Sequence, residues 1–381
     1  MVDTGPIRAF LDDEHLDLAT RVDDFATRLL APLREPPDDA AARIQARDLL
    51  GKLGSAGWFE PIRDQHWRSC CIIREALGAS SPLADAVFAL QALGTVPILL
   101  SKNDAMQKRW LAPAIRGQAM ASFAMTEPEA GSDVASLGTR AQRDGDSYVL
   151  SGTKTFISNA GIADFYTVFA TTDHAKADKG IGCFIVAADT PGLRFVRPLV
   201  LSAPHPLGEI AFVDARVPGS CRLDAEGEGY KLGLATLDRV RATVGAAACG
   251  MAARALAEAI AHARARRQFG KAIADFQLIQ EKLARMATDL TAARLLVYRA
   301  AWEKDLGAPR VTLEASMAKV FATEAAQRIV DDAVQILGGR GVLADHPVDR
   351  LYRSVRALRI YEGTSEIQHL IIAGQLLKAS P

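Results

Sequence analysis

The hydrophobic pattern of this chain changes period twice, and that limits what the chain can fold into. Up to about Gly117, apolar residues recur at helical spacing. Between residues 118 and 226, short β-type runs alternate with Gly, Pro and Asp. From about Glu228 the helical spacing returns in alanine-rich stretches. At 381 residues the chain also exceeds what one hydrophobic core usually supports. These features predict an α+β multidomain protein. Its parts are an N-terminal α-helical domain over residues 1–117, a compact antiparallel β domain (barrel or sandwich) over 118–226, and a C-terminal helical bundle over 227–381.

In the first part, residues 14–30 place Leu16, Leu18, Val22, Phe25 and Leu29 near one helix face, and Pro32, Pro36 and Pro37 stop the run. Further helices are expected over 40–53, 67–77, 83–100 and 104–115. In the middle, Asp144-Gly145-Asp146 signals a hairpin turn between strands at 138–143 and 147–151. More strands are expected at 167–171, 182–187, 193–196 and 209–213. The last part reads as helices over 230–267, 276–304, 311–337, 348–360 and 367–377, without internal repeats or low-complexity tracts.

Lysine plus arginine equals aspartate plus glutamate, 45 against 45, so net charge gives no reason to invoke nucleic acid or an anionic membrane as partner. Five cysteines (Cys70, Cys71, Cys183, Cys221, Cys249) lack metal-ligand spacing, so no metal is expected, and their odd number fits reduced thiols in a cytosol. The N-terminus is acidic and without an apolar stretch, and no uninterrupted apolar run reaches the roughly 20 residues of a membrane span. The expectation is a cytoplasmic protein without membrane insertion.

Near the C-terminus stands Ile360-Tyr361-Glu362-Gly363-Thr364-Ser365-Glu366-Ile367-Gln368. A carboxylate between an aromatic and a Gly-Thr turn can serve as a general base in an apolar setting that raises its proton affinity. It can equally be a solvated Glu in an ordinary turn. Far upstream, Ala124-Met125-Thr126-Glu127-Pro128-Glu129-Ala130-Gly131-Ser132-Asp133-Val134 blocks helix continuation at Glu127-Pro128 and permits close backbone approach at Ala130-Gly131-Ser132. A plain Gly-Ser turn is the other reading. Lys154-Thr155-Phe156-Ile157-Ser158-Asn159-Ala160-Gly161 reads as a strand ending in an Asn-Ala-Gly turn. Arg264-Ala265-Arg266-Arg267 is the densest basic cluster, and Phe269-Gly270 follows at once. Arg350, Arg353, Arg356 and Arg359 repeat every third residue, which reads as a solvated or ion-paired helix face or as a docking stripe for an acidic partner.

The 124–134 and 360–368 strings, with Arg266-Arg267-Gln268-Phe269-Gly270 and Gln335-Ile336-Leu337-Gly338-Gly339 between them, resemble the FAD-dependent acyl-CoA dehydrogenase family in motif and order. The resemblance covers nearly the whole chain and is weakest before about residue 100. It implies a helical, then β, then helical architecture ending in a four-helix bundle. It implies that Glu362 is the catalytic base. The family's other base location falls at Val240, which takes no proton. By the same resemblance Phe123, Met125, Thr126, Gly131, Ser132, Phe156, Ile157 and Ser158 lie along the flavin, with Phe156 covering a ring face and Ser158 near N5. Arg266, Phe269, Gln277, Gln335, Ile336 and Gly339 grip the FAD of a neighbouring subunit, so a homo-oligomer (a tetramer, at least a dimer) is implied. Thr364 and Glu366 touch the cofactor from the base-bearing turn. Ser132, Tyr230, Asp238, Arg241, Tyr361 and Gly363 match positions at the substrate.

Two positions depart from the family pattern. Glu129 stands where Gly is commoner. Residues 201–209, with His205 between two prolines, replace a Ser-Asp-Thr-like turn, which puts the usual CoA contacts in doubt; His205 itself reads as a loop or surface histidine. The implied reaction is α,β-dehydrogenation of an acyl-CoA to the trans-2-enoyl-CoA: Glu362 takes the α proton, and flavin N5 accepts hydride from the β carbon. The Glu362 amide and a flavin ribityl hydroxyl hold the enolate oxygen. Electrons would leave through an electron-transferring flavoprotein. The alternatives are the same chemistry on an acyl group tethered to a carrier protein, a same-fold oxygen-using flavoenzyme, and a non-catalytic flavoprotein.

Overall fold

A computed structural model describes residues 2–378 of the chain. Helices come first, a β region follows, and long helices close the chain, in the order expected. The chain divides into two compact units. One comprises Met1–Glu35, His66–Asp85 and Arg241–Pro381, and the other Pro36–Gln65 and Ala86–Val240.

The second of these units carries a seven-stranded sheet: β1 (Ala121–Ala124), β2 (Arg140–Asp144), β3 (Ser147–Ser158), β4 (Phe165–Thr171), β5 (Ile181–Ala187), β6 (Leu193–Pro198) and β7 (Leu207–Pro218). The Gly145-Asp146 hairpin lies where the sequence placed it, with Asp144 facing Ser147 and Gly145 at φ 62°. All of β4 is buried, Thr167 and Thr171 included, so apolar residues stand on both of its faces rather than alternating with exposed polar ones. The sheet is not wholly antiparallel, because β1 pairs with β4 in parallel. The chain between them carries β2 and β3, which gives it the length to re-enter in the same direction. The β3–β7 ladder is interrupted twice, at Leu150/Gly152 and at Lys154/Ile157.

In the other unit, helices Asp13–Phe25, Trp67–Ser80, Gln277–Asp305, Thr312–Leu337, Pro347–Leu358 and Ser365–Lys378 pack with the C-terminal part of Gly229–Ala265. Alanine and glycine allow close approach. A Cβ on Gly250 would collide with the Glu75 carbonyl, so those two helices meet backbone to backbone. The Asp305 carboxylate accepts hydrogen bonds from the amides of Trp67 (2.7 Å) and Arg68 (3.1 Å), capping the helix that starts there. Glu75 sits on that helix, fully buried, and accepts from Arg294 Nε (2.8 Å) and the Tyr298 hydroxyl (3.0 Å).

Two departures concern helices. The single helix expected over 104–115 is three pieces, Asp104–Met106, a π turn at Gln107–Leu111, and Ala112–Ile115. Pro113 lacks an N–H and its ring crowds the carbonyl four residues back, which favours the wider turn there. Helices Pro82–Ser101 and Gly229–Ala265 are long and apolar enough to cross a bilayer, but 83% and 67% of their apolar windows are buried inside the protein, so they are core helices.

Candidate active site

Glu362 stands in the turn between Pro347–Leu358 and Ser365–Lys378. Its φ is 54° and that of Gly363 is 91°, so two successive residues are left-handed. For a non-glycine residue that conformation costs roughly 1 kcal/mol or more, so the surroundings must enforce it. Gln368 Nε2 donates to the carbonyls of Glu362 (3.2 Å) and Gly363 (3.0 Å), and Lys319 Nζ donates to the Gly363 carbonyl at 2.7 Å. The flanks are tied to one carboxylate: Arg359 Nε (2.7 Å) and the Ser365 hydroxyl (2.6 Å) both donate to Glu324. Thr364 caps the following helix, its hydroxyl accepting from the Ile367 amide at 3.3 Å.

Glu362 as a whole is half-buried, but its Oε2 is sealed from solvent and has no hydrogen-bond partner among the described residues. Burial raises its proton affinity above the ordinary carboxylate range. Arg74, Lys319 and Arg241 pull it back without cancelling the rise, and Asp85 adds to it. Arg74 is itself committed elsewhere, in a buried bidentate pair with Asp85 (2.7 and 2.9 Å) and a 2.9 Å bond to the Thr243 hydroxyl. Arg241 is buried beside this group, and Tyr361 precedes Glu362 with 39% of its surface exposed. A carboxylate with raised proton affinity and one uncommitted oxygen is suited to accept a proton.

The sheet-bearing unit carries the predicted cofactor residues Phe123, Met125, Thr126, Gly131, Ser132, Phe156, Ile157 and Ser158. Glu127 and Ala130 bond each other's backbones (3.0 and 3.2 Å), closing a tight turn with Pro128 and Glu129 at its exposed tip. Below it lies a buried ion pair. Lys154 Nζ donates to Glu127 Oε1 (2.7 Å) and to the Met125 carbonyl (2.9 Å), and Glu127 also accepts from the amides of Gly138 (2.5 Å) and Thr139 (2.9 Å). Burial alone would raise the Glu127 carboxyl, but Lys154 and these donors outweigh it and hold it low; burial pushes Lys154 down to about 8 against the pull of Glu127. The Thr155 amide donates to the Thr126 carbonyl (3.0 Å), so the 126–134 turn and β3 are joined.

Phe156 falls in the second interruption of the β3–β7 ladder, with φ 54°. The bulge turns the ring outward, 63% exposed, while its neighbour Ile157 is buried. Ser132 is exposed, and beside it a Cβ on Gly131 would meet nothing within 4 Å. An outward aromatic, an exposed hydroxyl and an open glycine backbone fit one side of a flat ring. Phe123 is half-buried, Met125 buried, and Thr126 and Ser158 half-buried. Tyr230 and Asp238 are half-buried on the helix that begins at Gly229.

Back in the helical unit, Arg267–Gln268 and Lys271–Ala272 form a two-stranded hairpin, β8–β9. Its central residues Phe269 and Gly270 have φ of 52° and 82°, as a type I′ turn demands. Phe269 is thereby held 93% exposed. Arg266, Gln277, Gln335, Gly339 and Glu366 are also exposed, and Ile336 is buried. The arginine stripe is partly ion-paired: Arg353 bonds Glu35 and Asp349, and Arg359 bonds Glu324.

His205 lies in a loop, as expected. It is half-buried there, its Nε2 lies 2.8 Å from the Ser158 hydroxyl, and burial pushes its pKa down to about 4, so it is neutral at pH 7. Arg43, paired with Asp39, fixes the same loop through the Leu207 carbonyl (2.8 Å). The sequence reading missed Arg74, Asp85, Lys154 and Lys319. The only signal for them was a charge inside an otherwise apolar pattern.

The acyl-CoA dehydrogenase N-terminal, middle and C-terminal domains match residues 12–118, 122–215 and 227–377. A 3-(aryl)acrylate reductase of Clostridium sporogenes is 39% identical over 97% of this chain and 100% of its own length. Among solved structures, butyryl-CoA dehydrogenase from Megasphaera elsdenii superposes with a TM-score of 0.90 at 34% identity, covering 97% of this chain and 99% of that one. A chain solved in work on the electron transferring flavoprotein of Acidaminococcus fermentans superposes at 0.92 with 35% identity, covering 97% and 99%.

Proposed function

The chain belongs to the acyl-CoA dehydrogenase family, a flavin oxidoreductase with FAD as cofactor, and from that premise we propose that it interconverts an acyl-CoA and its trans-2-enoyl-CoA with Glu362 as the base. The observation that carries this reading is the Glu362 turn: a left-handed, strained base whose sealed carboxylate oxygen has no other partner. FAD, when bound, supplies the two-electron acceptor for the hydride. The residues that would hold it are Met125, Thr126, Gly131, Ser132, Phe156 and Ser158 on the sheet-bearing unit. Arg266, Phe269, Gln277, Gln335, Ile336 and Gly339 would serve the cofactor of a neighbouring copy, and Thr364 and Glu366 would flank it. Glu362 removes the α proton, and its backbone amide helps hold the developing enolate oxygen. By the family resemblance, Tyr361, Gly363, Arg241, Asp238 and Tyr230 are the proposed substrate residues. An electron-transferring flavoprotein is the proposed electron partner, and the similarity to a chain studied with one supports it.

The similarity to a 3-(aryl)acrylate reductase supports a second reading, in which the same site runs toward the saturated product. Protonated Glu362 then delivers the α proton, since the same group must act in both directions. Anaerobic flavin spectra decide between them. Bleaching by butyryl-CoA or 3-phenylpropanoyl-CoA supports dehydrogenation. Reoxidation of dithionite-reduced enzyme by cinnamoyl-CoA, with no bleaching by saturated thioesters, supports reduction. A flavin indifferent to all three overturns the acyl-CoA reading.

A further inference from the structure

Lys319 lies on Thr312–Leu337 with none of its side chain exposed. A lysine this deep needs compensation for its lost hydration. One carbonyl bond, to Gly363 at 2.7 Å, gives part of it. The rest comes from charge: Glu362, Glu324 and Glu366 draw the proton on, while burial and Arg241 push it off, leaving the ammonium lowered to about 8. Around Glu362 the charged groups are Arg74, Lys319, Arg241 and Asp85. Arg74 is held by Asp85 and Thr243 and also bonds the Tyr361 side chain, whereas Lys319 bonds the backbone of the turn that carries Glu362. The same helix presents Glu324 to Arg359 and Ser365, on either side of that turn.

We propose that Lys319 is a positioning residue for the Glu362 carboxylate, its buried ammonium locking the left-handed turn through the Gly363 carbonyl and supplying positive charge that favours the ionised base. The inference rests on Glu362 being the base. Losing the ammonium leaves Gln368 Nε2 alone on the two carbonyls and removes a reason for Glu362 to stay left-handed. It also removes a charge whose loss raises the proton affinity of Glu362.

The test uses FAD-loaded Lys319→Met, Lys319→Gln and Lys319→Arg. Glu362 titration is read as the infrared carboxyl band that Glu362→Gln abolishes, which needs no turnover. Amide exchange over residues 359–368 reports the turn. Flavin reduction by butyryl-CoA and by 3-phenylpropanoyl-CoA reports the chemistry. In Lys319→Met, Glu362 should titrate about one unit higher, the segment should exchange faster, and the reduction rate at high pH should fall about 10²-fold. Lys319→Gln keeps a donor, so exchange should stay near native while the titration still moves. Lys319→Arg should keep both near native. Should Lys319→Met fail to fold, the Gln and Arg variants decide the matter. A Glu362 titration unmoved in Lys319→Gln overturns the proposal. A reactive Glu362→Gln enzyme overturns the base assignment instead, and the titration still scores Lys319.

Discussion

At the scale of single residues, Glu362 carries competing demands. Its folded proton affinity is raised, so unfolding releases a proton between the ordinary carboxylate value and the raised one. Stability therefore falls as pH rises through that window. Above that window the ionised carboxylate is a destabilising element, because burial outweighs the neighbouring cations. Glu362→Gln should accordingly melt at or above the native temperature and retain FAD, while flavin reduction drops about 10³-fold or more. A lower melting temperature in calorimetry would mean that the carboxylate is structural. With Glu362 as the proposed base, the same raised affinity would set the acid limb of the rate. The limb should lie above the normal glutamate range of about 4.3 and disappear with the glutamine variant. Five buried cysteines add nothing to this chemistry, since burial raises those thiols.

At the scale of elements, the outward Phe156 depends on a bulge, and the bulge depends on what lies beneath it. Lys154 points inward two residues earlier and is fully buried against Glu127, which fixes the 126–139 segment through four bonds of its own and its turn partner. Removing one member of such a pair leaves the other charge buried. Lys154→Met should lose about 3 kcal/mol of stability and most of the bound FAD, measured by denaturant unfolding and by the ratio of flavin to protein absorbance. Retention of both would show that the bulge stands by itself. Helices with clean periodicity, such as 276–304 and 311–337, were legible to within a residue or so, and the Asp144-Gly145-Asp146 turn was legible from its chemistry. Three things were not. A bulge at Phe156 leaves no period of its own. The β1–β4 parallel pairing joins segments that no local pattern links. Lys154, Lys319, Arg74 and Asp85 look like surface charges because a sequence does not display the partner that makes burial tolerable. The proposed base was legible only by resemblance, since a Glu before Gly-Thr fits an exposed turn equally well until its sealed oxygen is located.

At the scale of the whole molecule, the exposed set is more telling than the buried one. Phe269 stands 93% exposed at the tip of a type I′ hairpin, with Arg266 before it and Gln277, Gln335 and Gly339 also open to solvent. A lone chain gains nothing from presenting a large aromatic in this way. If these residues hold the cofactor of a neighbouring copy, FAD retention becomes a property of the assembly and follows mass action. Dilution of the yellow protein before gel filtration should then lower flavin content and apparent mass together. Added FAD should push both back. Arg266→Ala and Phe269→Ser should shift that dilution curve toward higher protein concentration while leaving the melting of the cofactor-free chain unchanged, because neither side chain is packed in the core. Flavin content independent of dilution, with native retention in both variants, would place the entire cofactor within one chain. The hairpin would then be a surface for some other partner.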